Sequence, residues 1–306
     1  MLVLNVLWNI VLPVLLIIGL GVVLQRTLDL DPRPFSRAVF YAFSPALAFA
    51  SLYTMDLHSN GLTRAVLFGL LVAGGMGLLG WVWAHWGGFS RSRTSATVLT
   101  LVNSNTGNYG LPLNHFAFGE VGLQIAMIYY ILNATLANSL GVYIASSGRA
   151  RPGEAIRSVL HAPLVYATIL ALVANWWNIP IPSPVYKAVD LTGQAAIPVL
   201  LVVLGIQLGR LNGHVRWRQV LPVTVVKMLV APAWAWFLSG WLGMDGVLRA
   251  VSIVQASVPT AVMSTVLATE FDCEPEYVAE VVFVTTLASV VTLTGVVALV
   301  KALVTV

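Results

Sequence analysis

Residues 103–114 read N-S-N-T-G-N-Y-G-L-P-L-N and lie inside an otherwise apolar segment, residues 94–118. The stretch contains four asparagines, two glycines and Pro112. Proline removes a helix hydrogen bond, and its ring clashes with the preceding turn. Backbone groups freed in hydrocarbon cost several kcal/mol each, so such a break persists only inside a protein or beside a wet cavity. We therefore predict a broken membrane helix whose break binds a small polar solute.

The composition indicates an integral membrane protein. The chain has 306 residues, of which 58% are hydrophobic and 9% are charged, whereas a soluble domain carries roughly 25% charged residues. The net charge of +4 is therefore interpreted through the placement of basic loops, and no nucleic-acid partner is expected. The single cysteine, Cys273, excludes an internal disulfide and a cysteine-based metal site.

Ten segments are apolar enough to cross a bilayer, for which about 20 residues are needed. The first is expected to be a retained span and not a signal peptide. They are residues 2–24, 38–53, 65–86, 94–118, 123–145, 158–177, 188–208, 220–241, 250–269 and 277–299. We number them spans 1 to 10 and predict an all-α membrane protein.

Basic residues predict the orientation, because cytoplasmic loops are enriched in Lys and Arg. Odd-numbered loops hold eleven arginines, and the other loops and tails hold four basic residues. The eleven are Arg26, Arg33, Arg37, Arg91, Arg93, Arg149, Arg151, Arg157, Arg210, Arg216 and Arg218. This bias predicts that the odd-numbered loops are cytoplasmic and that both termini lie on the external (periplasmic) side of the cell inner membrane. The ninth loop is an exception, since it is acidic and has no basic residue.

Prolines recur at a nearly constant separation along the chain. The pairs are Pro13 with Pro163, Pro45 with Pro198, and Pro112 with Pro259. Because five spans is an odd number, a second copy would enter from the opposite side. The pattern predicts an inverted repeat of five plus five spans, residues 1–147 and 158–306, joined by a short cytoplasmic linker, residues 148–157. Spans 4 and 9 are the predicted broken, crossing helices, with Pro112 and Pro259 at the crossover.

Amide and hydroxyl side chains near the two prolines are the candidate binding residues. Polar groups at this depth must face the bundle interior, and each half-helix after a break points its positive end toward the membrane centre. Together these features suit a carboxylate. The alternative is a kink whose amides only satisfy freed backbone groups. The candidates are Asn103, Asn105, Asn108 and Tyr109 in span 4, and Gln255, Ser257 and Thr260 in span 9; Asn133 and Asn138 in span 5 are further mid-span amides.

Three charged residues are candidates for coupling. Lys227 lies about 12 Å into span 8 at 1.5 Å per residue. It is interpreted either as a substrate counter-charge or ion-coupling switch, or as a side chain that snorkels to the surface. Asp190 and Glu280 lie near the starts of spans 7 and 10. The histidines show no metal-ligand spacing and no catalytic motif is present, so we expect no enzyme, cofactor or metal site; coupling to H⁺ or Na⁺ stays open.

The motif N-x-N-x-G-N-x-G-L-P at residues 103–112 resembles the fourth-span signature of the auxin efflux carrier family. The similarity is to its bacterial branch of malate and malonate permeases, within the bile acid, arsenite and riboflavin transporter superfamily. Supporting matches are Asp190, residues 195–198, residues 204–208, Lys227 with Pro232, and residues 257–259. The chain departs from the family pattern in two ways. The linker between the halves is short, whereas plant auxin exporters often have a long loop there, and span 9 has glutamine and serine at positions 255 and 257 where an asparagine would be expected.

The resemblance implies crossed broken helices, a scaffold bundle of spans 1, 2, 6 and 7, and a moving transport bundle of spans 3–5 and 8–10. It also implies elevator-like motion, a homodimer, and a carboxylate bound by Asn103, Asn105 and Asn108. The expected function is secondary transport of a small organic anion, such as a dicarboxylate or an auxin-like carboxylate. The alternatives are a sodium-coupled carrier of the bile-acid symporter type and a non-transporting membrane sensor.

Overall fold

A computed structural model describes residues 2–56, 61–146, 160–210 and 215–304. Within these ranges the regular structure is helical. We number the helices α1 Leu2–Leu28, α2 Pro32–Tyr53, α3 Gly61–Trp86, α4 Arg91–Val102, α5 Thr106–Ala145, α6 Pro163–Trp176, α7 Ser183–Gly209, α8 Trp217–Trp241, α9 Gly246–Ser257, α10 Met263–Glu270 and α11 Pro275–Val304. The predicted linker, residues 148–157, lies outside the described residues.

Seven helices of the described chain are long and apolar enough to cross a membrane: α1, α2, α3, α5, α7, α8 and α11. The shorter helices α6 and α9 are also apolar. The expectation of a helical, multi-pass membrane protein is therefore confirmed. Its finer form, ten spans in an inverted repeat, stays a prediction.

The helix α5 contains a sharp turn at Gly119. The backbone angles of this residue are φ 65° and ψ −154°, a conformation that a side chain disfavours and glycine allows. The turn divides α5 into a first arm, residues 106–118, and a second arm, residues 120–145. It coincides with the predicted end of span 4 at residue 118.

Glycines allow α1 and α7 to pack closely. A Cβ atom at Gly21 would overlap the carbonyl oxygen of Val202, and one at Gly205 would overlap that of Ile18. Small residues permit this approach in membrane helices, where packing and not water exclusion drives association. The helix α2 packs against α6 and α7, so α1, α2, α6 and α7 form a contiguous group.

Two ion pairs connect the acidic ninth loop region to basic helix starts. The Nη1 atom of Arg93 lies 3.4 Å from Oε2 of Glu274, and Nε of Arg216 lies 2.8 Å from Oε1 of Glu280. The starts of α4, α8 and α11 are thereby joined. Of the two carboxylates, Glu274 belongs to the acidic loop and Glu280 lies within α11.

Candidate functional site

Two helix breaks face each other at the centre of the site. The first separates α4 from α5 at residues 103–105, and the second separates α9 from α10 at residues 258–262. Ser104 and Thr260 form an antiparallel bridge. On either side, the N–H of Asn105 donates to Pro259 O at 2.8 Å and the N–H of Ala261 donates to Asn103 O at 3.0 Å. Each break therefore satisfies backbone groups that the other break has freed.

The first break lies several residues before Pro112. Helical hydrogen bonds resume at Asn105, whose carbonyl accepts from the N–H groups of Tyr109 and Gly110. Pro112 lies in the first turn of the α-helical part of α5, which begins at Leu111, where a missing N–H is tolerated. The sequence placed the half-helix start near Pro112; the structure places it at Thr106. Pro259, by contrast, lies within the second break.

Ser104 is held by the side chain of Asn133, in the second arm of α5. The N–H of Ser104 donates to Oδ1 of Asn133 at 3.3 Å, and Nδ2 of Asn133 donates to Ser104 O at 2.8 Å. A single amide thus satisfies both backbone groups of this residue. These two hydrogen bonds matter because a buried polar group without a partner costs about 1–3 kcal/mol.

Thr260 has similar support in the second break. Its N–H donates to Oγ1 of Thr285 at 3.3 Å, and its own hydroxyl donates to Thr100 O at 2.9 Å. Thr285 lies on α11 and Thr100 lies near the end of α4. Both breaks are therefore fixed by side chains of neighbouring helices.

The ammonium of Lys227 is bound at the first break. Its Nζ atom donates to Leu101 O at 2.9 Å and to Oγ of Ser104 at 2.8 Å. Lys227 is 1% exposed, so the side chain is directed to the break and not to the surface, which rules out snorkelling. It stabilises the carboxyl end of α4, where a cation is favourable. Within the described part of the chain no carboxylate forms an ion pair with it.

A cavity of about 270 Å³ adjoins the first break and is bounded by α2, α5, α6, α7 and the start of α10. Its polar lining comes from the break and from amide and hydroxyl side chains of three helices. These residues are Ser36, Ser44, Ser104, Asn105, Thr106, Asn108, Tyr130, Asn133, Thr135, Asn138 and Gln207. The rest of the wall is apolar and includes Val39, Phe40, Leu164 and Val203. None of the described lining residues is charged, so the cavity suits a solute with a polar end and an apolar body.

Of the predicted binding residues, Asn105 and Asn108 line this cavity. Asn103 is fully buried, and neither amide atom has a hydrogen-bond partner among the described residues. Tyr109 is also fully buried. These two residues pack behind the lining.

Two of the three span 9 candidates, Gln255 and Thr260, hold the break together. Nε2 of Gln255 donates to the carbonyls of Ala126 at 3.2 Å and Thr106 at 3.4 Å. The hydroxyl of Ser257 donates within its own helix, to Ile253 O at 2.6 Å. Gln255, Ser257 and Thr260 do not line the cavity, and this half of the lining comes instead from residues 261–263 and Val266.

The carboxylates proposed for coupling lie away from the cavity. Glu280 pairs with Arg216. Asp190 accepts a hydrogen bond from Nε2 of Gln194 at 2.8 Å and lines a separate cavity with His115 and Glu120. Of the three coupling candidates, Lys227 alone contacts the break.

Sequence reasoning missed Ser104, Tyr130, Ser44 and Gln207 as lining residues. The hydroxyl of Tyr130 donates to Oγ of Ser44 at 3.2 Å, joining α5 to α2 across the cavity. Serine and tyrosine are common in membrane helices, so their type alone carries little signal. The mid-span amides Asn133 and Asn138 did stand out, and both line the cavity.

Comparisons with known proteins identify a family over nearly the whole chain. A family described as membrane transport protein matches residues 6–297. A protein of Methanothermobacter thermautotrophicus named "Uncharacterized transporter" is 28% identical over 90% of this chain and 93% of its own length. A Rhizobium meliloti protein named "Putative malonate transporter" is 25% identical over 60% of both chains. Auxin efflux carrier component 2 of Oryza sativa is 26% identical over 41% of this chain and 21% of its own length.

Proposed function

The chain belongs to the membrane transport protein family, and we propose that it is a secondary transporter of a small organic anion. The observation that carries this proposal is the cavity at the first helix break. Amide side chains line its wall, and the ammonium of Lys227 donates to the lining residue Ser104. A transporter is not an enzyme, in agreement with the sequence analysis.

Three features of the cavity favour an anion. Asn105 lines the cavity, and its buried Nδ2 has no partner among the described residues, so the amide keeps an unused donor next to the cavity. The amino-terminal end of the α5 first arm begins at Thr106, in the cavity wall, and such helix ends attract negative charge. Lys227 adds a positive charge in a region from which water is largely excluded, where a charge acts more strongly.

The proposed substrate class is a carboxylate with a compact body, such as a dicarboxylate or an auxin-like acid. The names of the relatives support this class, since one is called a malonate transporter and another an auxin efflux carrier. The volume of about 270 Å³ is close to the lower end of typical ligand pockets, roughly 300–1,000 Å³. The apolar wall is able to cover the hydrocarbon part of either substrate.

The proposed mechanism is elevator-like alternating access within a ten-span inverted repeat. The scaffold bundle contains α1, α2, α6 and α7, and the other helices form the transport bundle. The close glycine packing of α1 on α7 supports a rigid scaffold. The cavity supports this assignment of helices to two bundles, because α2, α6 and α7 line one side of it and α5 and α10 line the other. A homodimer is proposed from family resemblance.

The proposed location is the bacterial inner membrane, with both termini in the periplasm. In this proposed orientation the cavity would open toward the cytoplasm, because its lining residues Ser36 and Gln207 lie near helix ends beside basic loops. Coupling through Lys227 to H⁺ is proposed because its ammonium touches the break. Coupling to Na⁺ is the rival, favoured by buried oxygens without partners in the described chain, Oγ1 of Thr106 and Oε1 of Gln255.

The test is flux of radiolabelled malate, malonate and indole-acetate into proteoliposomes that contain the purified chain. Saturable flux of at least one acid above that of protein-free liposomes is expected. Repeating the assay with choline in place of sodium, and with and without a pH gradient, separates the two coupling modes. Specific binding of an acid without flux would favour a sensor and overturn the proposal.

A further inference from the structure

A further cavity, of about 570 Å³, lies where α4, α8 and α11 begin, on the face predicted to be cytoplasmic. Three arginines line it, Arg93 from the first turn of α4 and Arg216 and Arg218 from the start of α8. The proposed transport mechanism uses none of them. Their convergence on one cavity calls for a separate explanation.

Two of these arginines are held in fixed positions. The guanidinium of Arg93 lies 3.2 Å from the ring centre of Tyr277 and 3.4 Å from Glu274. Arg216 pairs with Glu280 through Nε, and its backbone N–H donates to the other carboxylate oxygen at 3.1 Å. Within the described chain, no hydrogen bond or ion pair uses the two Nη groups of Arg216. They remain available to a ligand.

Arg218 leaves the cluster with a surplus of positive charge. It is exposed, and in the described ranges no carboxylate pairs with it. Three guanidinium groups therefore face two carboxylates, Glu274 and Glu280. The hydroxyl of Ser90 and the amide of Gln219 also line the cavity and add neutral donors.

The rim of the cavity is aromatic and lies at the ends of apolar helices. Trp83, at the end of α3, and Phe89 have ring centres 6.0 Å apart and form part of the wall. Tryptophan is enriched at the level of lipid headgroups, where its ring contacts acyl chains and its N–H contacts water. A bound molecule at this depth would have both a polar and an apolar surface to contact.

We propose that this cavity binds the phosphate of an anionic phospholipid headgroup. Arginine matches phosphate with paired N–H groups, and basic pockets between membrane helices on the cytoplasmic side suit anionic lipid headgroups. A soluble phosphate shares this chemistry. The lipid is the stated occupant because its acyl chains would cover the wall formed by Trp83 and Phe89.

The test compares lipid binding by the wild-type chain, Arg218→Gln and Arg37→Gln. Arg218 has no ion pair to lose among the described residues, so its replacement leaves the fold intact. Arg37, an exposed arginine of α2 on the same predicted face, is the matched control. Each protein is titrated with phosphatidylglycerol, with phosphatidylcholine of the same acyl chains, and with inorganic phosphate. The readouts are native mass spectrometry and the thermal unfolding midpoint.

Phosphatidylglycerol is expected to bind and stabilise the wild-type chain more than phosphatidylcholine. Arg218→Gln should weaken that binding roughly fivefold, the effect of one arginine near an anionic surface, and Arg37→Gln should leave it unchanged. Equal binding of the two lipids, or equal loss in both variants, would overturn the proposal. Full stabilisation by inorganic phosphate alone would also overturn it, because the occupant would then be a soluble anion.

Discussion

Asn133 and Ser104, 29 residues apart in sequence, form two hydrogen bonds through one amide, which donates to the carbonyl and accepts from the N–H of the serine. This pairing takes the place of a helix turn at the first break. The backbone there can stay open because the side chain of another helix arm satisfies it.

Replacing Asn133 by alanine should therefore destabilise the break. The loss of both bonds leaves the N–H of Ser104 unpaired, at a cost of about 1–3 kcal/mol for a buried group, while Ser104 O keeps its bond from the N–H of Thr106. We expect a lower thermal unfolding midpoint in detergent and weaker transport. Asn138→Ala is the control, because Asn138 also lines the cavity but its Nδ2 bonds to Ala134 O in its own helix. Equal unfolding midpoints for the two variants would contradict the role given to Asn133.

Much of this site could be predicted from sequence, because the strongest signals are local. Pro112, the glycines and the asparagines marked the break to within a few residues. The predicted end of span 4 at residue 118 also lies next to the turn at Gly119. Spans 4 and 9 were expected to cross, but which of their residues pair could not be predicted. Ser104 and Thr260 meet across 156 residues, and spacing along one helix does not reveal which helix packs beside it.

The same limit explains why the contacts of Lys227 could not be predicted. Its depth in span 8 was readable, but its bonding to Leu101 and Ser104 depends on how α8 packs against the end of α4. The span 9 candidates illustrate the converse. Gln255 and Thr260 are polar and near a break, yet they serve the backbone, since a break in hydrocarbon must satisfy its own polar groups first.

Gly110 should not tolerate a methyl group. A Cβ atom at this position would overlap Oε1 of Gln255, and this side chain is fixed because its Nε2 donates to the carbonyls of Thr106 and Ala126. Gly110→Ala should therefore displace Gln255, lower the unfolding midpoint and reduce flux. Gly74→Ala is the matched control, because no atom lies within 4 Å of its added Cβ and alanine favours a helix by about 1 kcal/mol. If the two variants were equally stable, α9 would not pack on the first break as described.

Cys273 should be unreactive in the folded protein. Burial raises the pKa of its thiol to about 11, and the neighbouring Asp272 and Glu274 add to the effect. A raised pKa means less thiolate, the reactive form, and at pH 8 the thiolate fraction falls more than a hundredfold below that of a free cysteine of pKa ~8.5. Maleimide labelling should be slow in the native protein and rapid after denaturation.

The matched control for labelling places a cysteine at the exposed Ser90 in a Cys273→Ala background. This variant should label rapidly in the native state. Rapid native labelling of Cys273 itself would show that the loop between α10 and α11 is open to solvent.

Removing the charge of Lys227 should weaken anion binding. Lys227→Met keeps most of the side-chain volume but removes the ammonium that contacts Ser104. The ammonium does not line the cavity, so it acts on a bound acid by charge across the wall, and the affinity should fall by roughly tenfold, about 1.4 kcal/mol. Lys187→Met, at an exposed lysine of α7, should bind as the wild type does. Unchanged affinity in Lys227→Met would exclude this residue as counter-charge and leave it a structural cap of α4.

Asn105 and Asn108 provide the direct test of the cavity as the binding site, because they are the two predicted binding residues that line it. Their side-chain amides supply the N–H donors that a carboxylate would accept from, and such a charge-assisted bond is about twice as strong as a neutral one. Asn105→Ala and Asn108→Ala should each abolish flux of the transported acid while leaving the amount of folded protein unchanged. Asn9→Ala is the control, since the Asn9 amide is exposed on α1 and bonds to Asn5. Wild-type flux of malate, malonate and indole-acetate in both cavity variants would show that the substrate binds elsewhere.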